Sequence, residues 1–428
     1  MKKQALPLAA FVFATATLAP AAEDWLDRLD DFLTVSAFED RARLRLSGTL
    51  DLEAYALPQP SPGLFYTERY ALFNPRLTLF LDAQLGPNVY VFAQMRADRG
   101  FDPHYLDARA ALDEYALRFT PWKDGRFNLQ IGKFATVVGN WATRHGSWEN
   151  PFITAPLPYE NLTGMWDSAA ADSLGTLRGW AGLDGGSPSR ADALAGKRLR
   201  NPVIWGPSYT SGVSAFGQIG KFEYAAEFKN ASLSSRPDSW DGTVVQWQRP
   251  TVSGRVGFRP NTMWRLGASA SVGPYLTREA SDTVAPGTRL SDYRQIVLGQ
   301  DVSFAWHHWQ LWAEVFESRF EIPGVGNADS LAYYIEAKYK FTPAILRRSA
   351  LEPARLRDSA RRHGRARSVE RRHLARGLRA RLPLHGAHAA QAPIQPRPPR
   401  DGWPRLWSHV RRAVHDSILV PCLASNDG

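Results

Sequence analysis

The 428-residue sequence predicts an all-β fold, an antiparallel transmembrane β-barrel of roughly 16–18 strands. Three observations predict it. Segments of about ten residues alternate apolar and polar side chains, the period of a strand with two different faces. Tight turns alternate with long polar loops, as in a barrel with one short-turned rim. The polar face of strand after strand carries charges of both signs. A water-filled lumen tolerates that arrangement, and a dry core does not.

The elements follow in order. Lys2 and Lys3, the apolar stretch Ala5 to Leu18 and the small residues Ala19-Pro20-Ala21 read as a secretory signal over residues 1–22. The apolar stretch is short of the about 20 residues a spanning helix needs, and no other stretch is long and apolar enough to span as a helix. Residues 23–42 form a leader. Trp25, Leu26, Leu29, Phe32 and Leu33 fall at helical spacing, giving a short amphipathic helix or an unstructured periplasmic segment.

From Arg43 the period becomes two, and it is held to Pro343. Leu44, Leu46, Leu50 and Leu52 oppose Arg45, Ser47, Asp51 and Glu53. Leu77, Leu79, Leu81 and Leu85 oppose Arg76, Thr78, Asp82 and Gln84. A turn at 86–88 leads into a strand over 89–98. The strand over 114–120 turns at 123–125 and returns over 127–134. Further strands are expected over 221–229, 253–258, 263–272, 301–308, 309–316 and 331–341, about 13 in the body. Long polar loops fall at 138–168, 184–200, 232–242 and 277–291. Strands of this length exceed the mode of about 5–6 in soluble sheets. Aromatics gather at strand ends, as interface girdles do: Tyr115, Phe119 and Trp122; Phe304, Trp306 and Trp309; Tyr333, Tyr334, Tyr339 and Phe341.

The text changes at Pro343. Residues 344–428 hold 18 Arg, no Lys and 6 acids, so the net charge of +10 belongs to this tail, and the body is slightly acidic. The basic balance is therefore no sign of nucleic acid. Two readings compete: a disordered Arg-rich extension, and a shifted reading frame. With free third bases, residues 344–357 read one nucleotide later give RFFAAARWNQQGFG. Residues 409–418 can become TFAAQFTIRF, followed by a stop if Leu419 is encoded by CTA. These are alternating strands ending on Phe, and the shifted tail supplies about four of them. Without them the wall would leave backbone groups unpaired in lipid.

The residues that line a lumen come from the alternation itself: Arg45, Asp82, Arg96, Glu114, Arg118, Glu223, Glu227, Arg255, Arg265, Glu314, Glu336 and Lys338. Facing rows of opposite charge orient dipolar solutes. The loop 138–168 interleaves Trp141, Trp148 and Tyr159 with Arg144, Glu149 and Asp167. So many aromatics predict a loop folded into the lumen or a packed external cap. His145 with Ser147 and Asn150 is the one set that could suggest a lipid hydrolase, and it lacks a placed acid. His307-His308 falls in a turn. The single cysteine, Cys422, leaves the body without thiol chemistry, and no metal or cofactor motif is present.

This layout over 43–343 resembles outer-membrane porins, in which a long early loop folds inward. The resemblance implies export through the periplasm to a bacterial outer membrane and insertion by barrel-assembly machinery. It also implies lipid around the wall, a monomer or homotrimer, and diffusion of small hydrophilic solutes or ions. A structural or adhesive barrel is the alternative.

Overall fold

The computed structural model describes residues 31–340 apart from positions 40, 100–101, 104–106, 147–148, 151, 153, 183–188, 242–246 and 248. It also describes the backbone of 346–351, 354–358 and 376–383. The expected signal, and all but the last residues of the expected helix before Thr34, lie outside these residues.

One antiparallel sheet of sixteen strands makes the wall. It begins with β1 (Thr34–Ala37), β2 (Ala42–Ala56), β3 (Ala71–Leu85), β4 (Val89–Asp98), β5 (Arg109–Phe119) and β6 (Asn128–Phe134). A long connection follows, carrying the two-stranded ribbon β7 (Leu162–Trp166) and β8 (Arg200–Pro202). The wall resumes with β9 (Thr210–Ile219), β10 (Phe222–Lys229), β11 (Thr251–Phe258) and β12 (Trp264–Pro274). It continues through β13 (Arg294–Trp306), β14 (Trp309–Ile322) and β15 (Gly326–Lys340). Thirteen wall strands thus precede Pro343. Each pairs with its neighbour in sequence, so the wall is a simple meander closed on itself only as far as its edges allow.

Those edges are occupied by tail backbone. β16 (Leu346–Leu351) and β17 (Ala354–Asp358) pair with β15 in one continuous register, Leu346 opposite Lys340 and Asp358 opposite Ala328. β18 (Arg376–Pro383) pairs with β2 from Ala56 to Thr49. β1, inside the expected leader, pairs with the other end of β2. Among the described residues no pairing joins β17 to β18.

A tight turn at 323–325 joins β14 to β15 at one rim, and the turns at 86–88, 120–127, 220–221, 259–263 and 307–308 gather at the other. Gly86, Gly125, Gly220 and His307 take positive φ there. Outward aromatics pair at the same rim: Trp122 with Phe127 at 5.9 Å, Phe222 with Phe258 at 5.0 Å, Trp264 with Phe304 at 4.5 Å, and Trp309 with Tyr339 at 4.7 Å. Above this girdle the outward face is apolar and exposed: Leu81, Leu117, Ile131, Val256, Leu298 and Ile335. The inward face is polar and buried. This is the transmembrane barrel pattern, inverted relative to a soluble sheet. Tyr334, expected at the girdle, faces inward and is fully buried. It sits one residue out of phase with the lipid face set by Tyr333 and Ile335.

The pattern inverts again at the far rim. On β14, Glu317, Arg319 and Glu321 alternate with buried Ser318, Phe320 and Ile322. Arg319 pairs with Asp329 at 2.8 Å on the outside. Phe320 and Ile322 pack inside against Met165, Tyr275, Leu276 and Tyr293. There the strands have left the apolar band, water lies outside, and a small dry core fills the interior.

Candidate lumen constriction

The connection between β6 and β9 does not stay at the rim. It crosses to the opposite wall, where buried side chains hold it strand by strand. Glu114 on β5 accepts the Ala135 N–H at 2.8 Å. Glu227 on β10 accepts the Thr136 hydroxyl at 2.7 Å and the Val137 N–H at 3.2 Å. Ser269 on β12 accepts the Gly139 N–H at 3.3 Å. Glu314 on β14 accepts three donors: the Asn140 N–H, the Trp141 N–H at 3.0 Å and the Tyr159 hydroxyl at 2.7 Å. On β15, Glu336 takes the Arg144 guanidinium at 2.5 Å, and Tyr334 takes it at 3.0 Å. Charge-assisted bonds of this kind are the stronger ones, and here they replace water that a lone carboxylate would keep.

One glycine makes the seating possible. Gly139 has φ +75°, and a Cβ there would overlap the Tyr159 hydroxyl and lie 2.9 Å from Glu314. Trp141, Tyr159 and Tyr334 then pack with Val138, Ile204 and Phe316 in a shared core. Arg144 lies 4.5 Å over the Trp312 ring. The loop is thus part of the interior. Asp167, farther along, accepts Arg236 at 3.1 Å. Glu149 is exposed, and Trp148 lies outside the described residues.

The remaining lumen charges form two clusters. On β10–β13, Glu223 gathers Arg265 at 2.8 Å, Arg255 at 3.7 Å and Arg259, while Arg255 also binds Asp301 at 2.6 Å. On β2–β5, Arg76 bridges Glu53 at 3.2 Å and Asp98 at 2.8 Å, and Arg96 bridges Asp98 at 3.5 Å and Asp113 at 2.7 Å. Arg45 stands opposite Asp82 in register, and Asp82 accepts the Tyr90 hydroxyl. Arg118 donates to Gln130 at 2.8 Å and lies 5.1 Å over Phe216. Lys338 stands opposite Gln310, half-buried.

The alternation placed Arg76 on the polar face, although it is not among the lumen candidates, and it gave no facing for Asp98 or Asp113. Asp113 is inward because β5 bulges: Gln94 pairs with Glu114 but Met95 pairs with Leu112. The extra residue turns two consecutive acids to the same side. The signal was present, since adjacent Asp and Glu cannot both face inward on a regular strand.

A cavity of about 370 Å³ remains between the β2–β5 cluster and the loop. Arg76, Arg96, Asp98 and Asp113 line one side; Trp141, His145, Tyr209 and Trp240 line the other. His145 is held through Nδ1 against the Ala142 carbonyl at 2.6 Å and through Nε2 against the Tyr209 hydroxyl. Burial lowers its pKa to about 4, so the ring is neutral. Both ring nitrogens are engaged, and Ser147 lies outside the described residues.

No protein-family model matches the chain, and no curated protein matches it. Solved structures similar to it include OmpF of Salmonella typhi in complex with daunomycin, with TM-score 0.45 and 10% identity over 80% of this chain and 86% of that one. An anion-selective porin from Comamonas acidovorans gives TM-score 0.41 and 8% identity over 73% and 79%. The outer-membrane-expressed OmpT of Vibrio cholerae gives 0.41 and 9% over 76% and 79%.

Proposed function

We propose that this wall is an outer-membrane channel for small hydrophilic solutes or ions, narrowed by its own inward loop. The observation that carries the reading is the clamp of residues 135–144 on Glu227, Glu314 and Glu336 across the lumen. A barrel whose interior served only as filler would not need a polar, ion-paired lumen beside a seated loop. Arg96, Arg118, Arg255 and Arg265 act as lumen charges, and Glu114, Glu227, Glu314 and Glu336 act as loop anchors. The wall belongs in lipid at its apolar band, delivered by the signal over 1–22 and inserted by barrel-assembly machinery, alone or as a homotrimer. The closing strands of the functional protein are those of the shifted frame after Pro343.

A second reading has one observation in its favour. The dry core of Met165, Tyr275, Leu276, Phe320 and Ile322 at the far rim would suit a structural or adhesive barrel. Unitary conductance in planar bilayers decides between them. The channel reading expects ohmic steps that enlarge when Gly139→Val unseats the loop. A native protein that inserts yet passes no current at any voltage is the structural barrel.

A further inference from the structure

Away from the cavity beside the loop, the charges on β10–β13 do not balance. Three guanidinium groups, Arg255, Arg259 and Arg265, meet two carboxylates, Glu223 and Asp301. All three gather on Glu223: Arg259 at Oε1, Arg265 at Oε2 at 2.8 Å, and Arg255 at Oε2 at 3.7 Å. Asp301 is taken by the Nε and Nη2 of Arg255, at 3.0 and 2.6 Å. One positive charge is left over. Donors are left over too, since a guanidinium carries about five N–H groups and a carboxylate about four acceptor sites. Arg265 uses only its Nε, and among the described residues its two Nη groups meet no acceptor. The Nε of Arg259 is buried without one. Glu314, opposite Asp301 in register, does not absorb the surplus, because three loop donors already hold it.

The wall makes room for this cluster. Gly257 stands opposite Glu223 and Gly267, and Gly267 stands opposite Asp301. A Cβ at Gly257 would lie 3.0 Å from Glu223 and 3.2 Å from Nη1 of Arg255, and one at Gly267 would overlap Arg255 and Asp301. The two glycines thus leave space for the Arg255 guanidinium against the wall. Arg259 and Arg265 stay accessible, at 27% and 26% exposure. On β10, Glu223 lies on the short-turned side of the anchor Glu227, and on β12, Arg265 lies on that side of Ser269. The cluster therefore sits between the seated loop and the short-turned mouth.

We propose that Arg259 and Arg265, braced by Arg255 and Glu223, form an anion-docking subsite of the channel for a small solute that carries a phosphate or carboxylate group. Guanidinium forks match both groups through paired N–H···O bonds. An arriving anion breaks no existing pair: it takes donors that no carboxylate holds, and it neutralises the charge left over. The subsite deepens the channel reading by naming a solute class, and it rests on that reading.

Phosphorus-31 line broadening of pyrophosphate and proton line broadening of citrate, each titrated into the native protein in octyl glucoside, read the site without any current. At least one anion should bind, and the tighter of the two assigns the group. Arg265→Gln leaves Arg255 and Arg259 against Glu223 and Asp301, a balanced set. It should weaken binding about tenfold, the loss of one charge-assisted hydrogen bond. Arg118→Gln removes a lumen charge outside the cluster and should weaken binding less than about twofold, because salt screens distant charges. The subsite is overturned if neither anion binds, if Arg265→Gln leaves the affinity unchanged, or if Arg118→Gln weakens it as much. Potassium chloride conductance in planar bilayers is read separately. Conductance without anion binding overturns the subsite alone, and anion binding without conductance overturns the channel alone.

Discussion

At the scale of the residue, the interior is governed by whether each polar group finds its partner. Arg144 and Glu336 illustrate the cost of failure. They are nearly fully buried, 2.5 Å apart. Glu336→Met leaves Arg144 buried against apolar rings, which costs about 3–5 kcal/mol of loop seating. Replacing both by Met removes the orphan and should recover most of that loss. Hydrogen exchange at residues 136–145 reads the difference, and equal exchange in the single and double variants would contradict it. Lys197 gives a pH-dependent counterpart outside the membrane band. Its ammonium donates to the Ser61 carbonyl at 2.7 Å, to the Ser61 hydroxyl at 3.3 Å and to the Phe65 carbonyl. Burial lowers its pKa to about 7, with Glu160 pulling the other way. The folded state therefore holds fewer protons than the unfolded chain between about pH 7 and the ordinary lysine value. Stability from this group rises with pH across that window and is flat below it. The urea midpoint of the wild type minus that of Lys197→Met should climb from pH 7 to 10; a flat difference would refute the assignment.

At the scale of the element, most of the wall was legible because lipid outside and water inside impose strict alternation. The strands over 42–56, 89–98, 128–134, 222–229 and 251–258 lie where the period of two places them. β9 was missed because its sequence, TSGVSAFGQI, is built of small residues whose two faces differ little in polarity. The upper halves of β13, β14 and β15 were missed for another reason. Beyond the apolar band the faces exchange character, so Glu317 and Arg319 point out while Phe316 and Phe320 point in. β7 fell in the aromatic loop 138–168 and the helix Arg190–Lys197 in the loop 184–200, while the helix Leu174–Trp180 and most of β8 lay where the sequence predicted no element. The site was half legible. The aromatic loop announced itself, but its anchors were read as free pore charges, because alternation reports facing and not partnership. The boundary of the band can be measured on one strand. Val315→Arg puts a charge about six residues above the girdle and should cost about 2–4 kcal/mol, whereas Glu317→Arg, two residues higher, should cost about 0–1 kcal/mol. Urea titration in lipid vesicles gives both values, and equal costs would move the band.

At the scale of the whole molecule, what matters is how the wall ends. The twelve strands from β2 to β15 leave two edges, and an edge in lipid exposes a row of unpaired N–H and C=O groups. β16–β17 and β18 lie along these edges with the directions a closing pair requires, one running away from the short-turned rim and one toward it. Their sequences fit unequally. In β18, Leu378, Ala380 and Leu382 stand opposite the outward Ala54, Leu52 and Leu50, and Arg379 and Arg381 opposite the inward Glu53 and Asp51. In β16–β17, Arg347 and Arg355 stand opposite the outward Tyr339 and Leu331. Read one nucleotide later, positions 347 and 355 begin with G and so cannot encode arginine, and positions 349 and 351 can become Ala and Trp. The shifted tail also brings about four strands instead of two, for a total near 16, within the range that leaves an aqueous channel. We therefore expect the gene to carry a single-nucleotide difference near codons 343–344. The protein with the shifted tail should refold into lipid vesicles as a heat-modifiable, protease-resistant barrel, and the 428-residue chain should do so poorly. An intact frame by resequencing, with native peptides covering 344–428 in mass spectra, would overturn this. Equal refolding of the two chains would show instead that two tail strands suffice to close the wall.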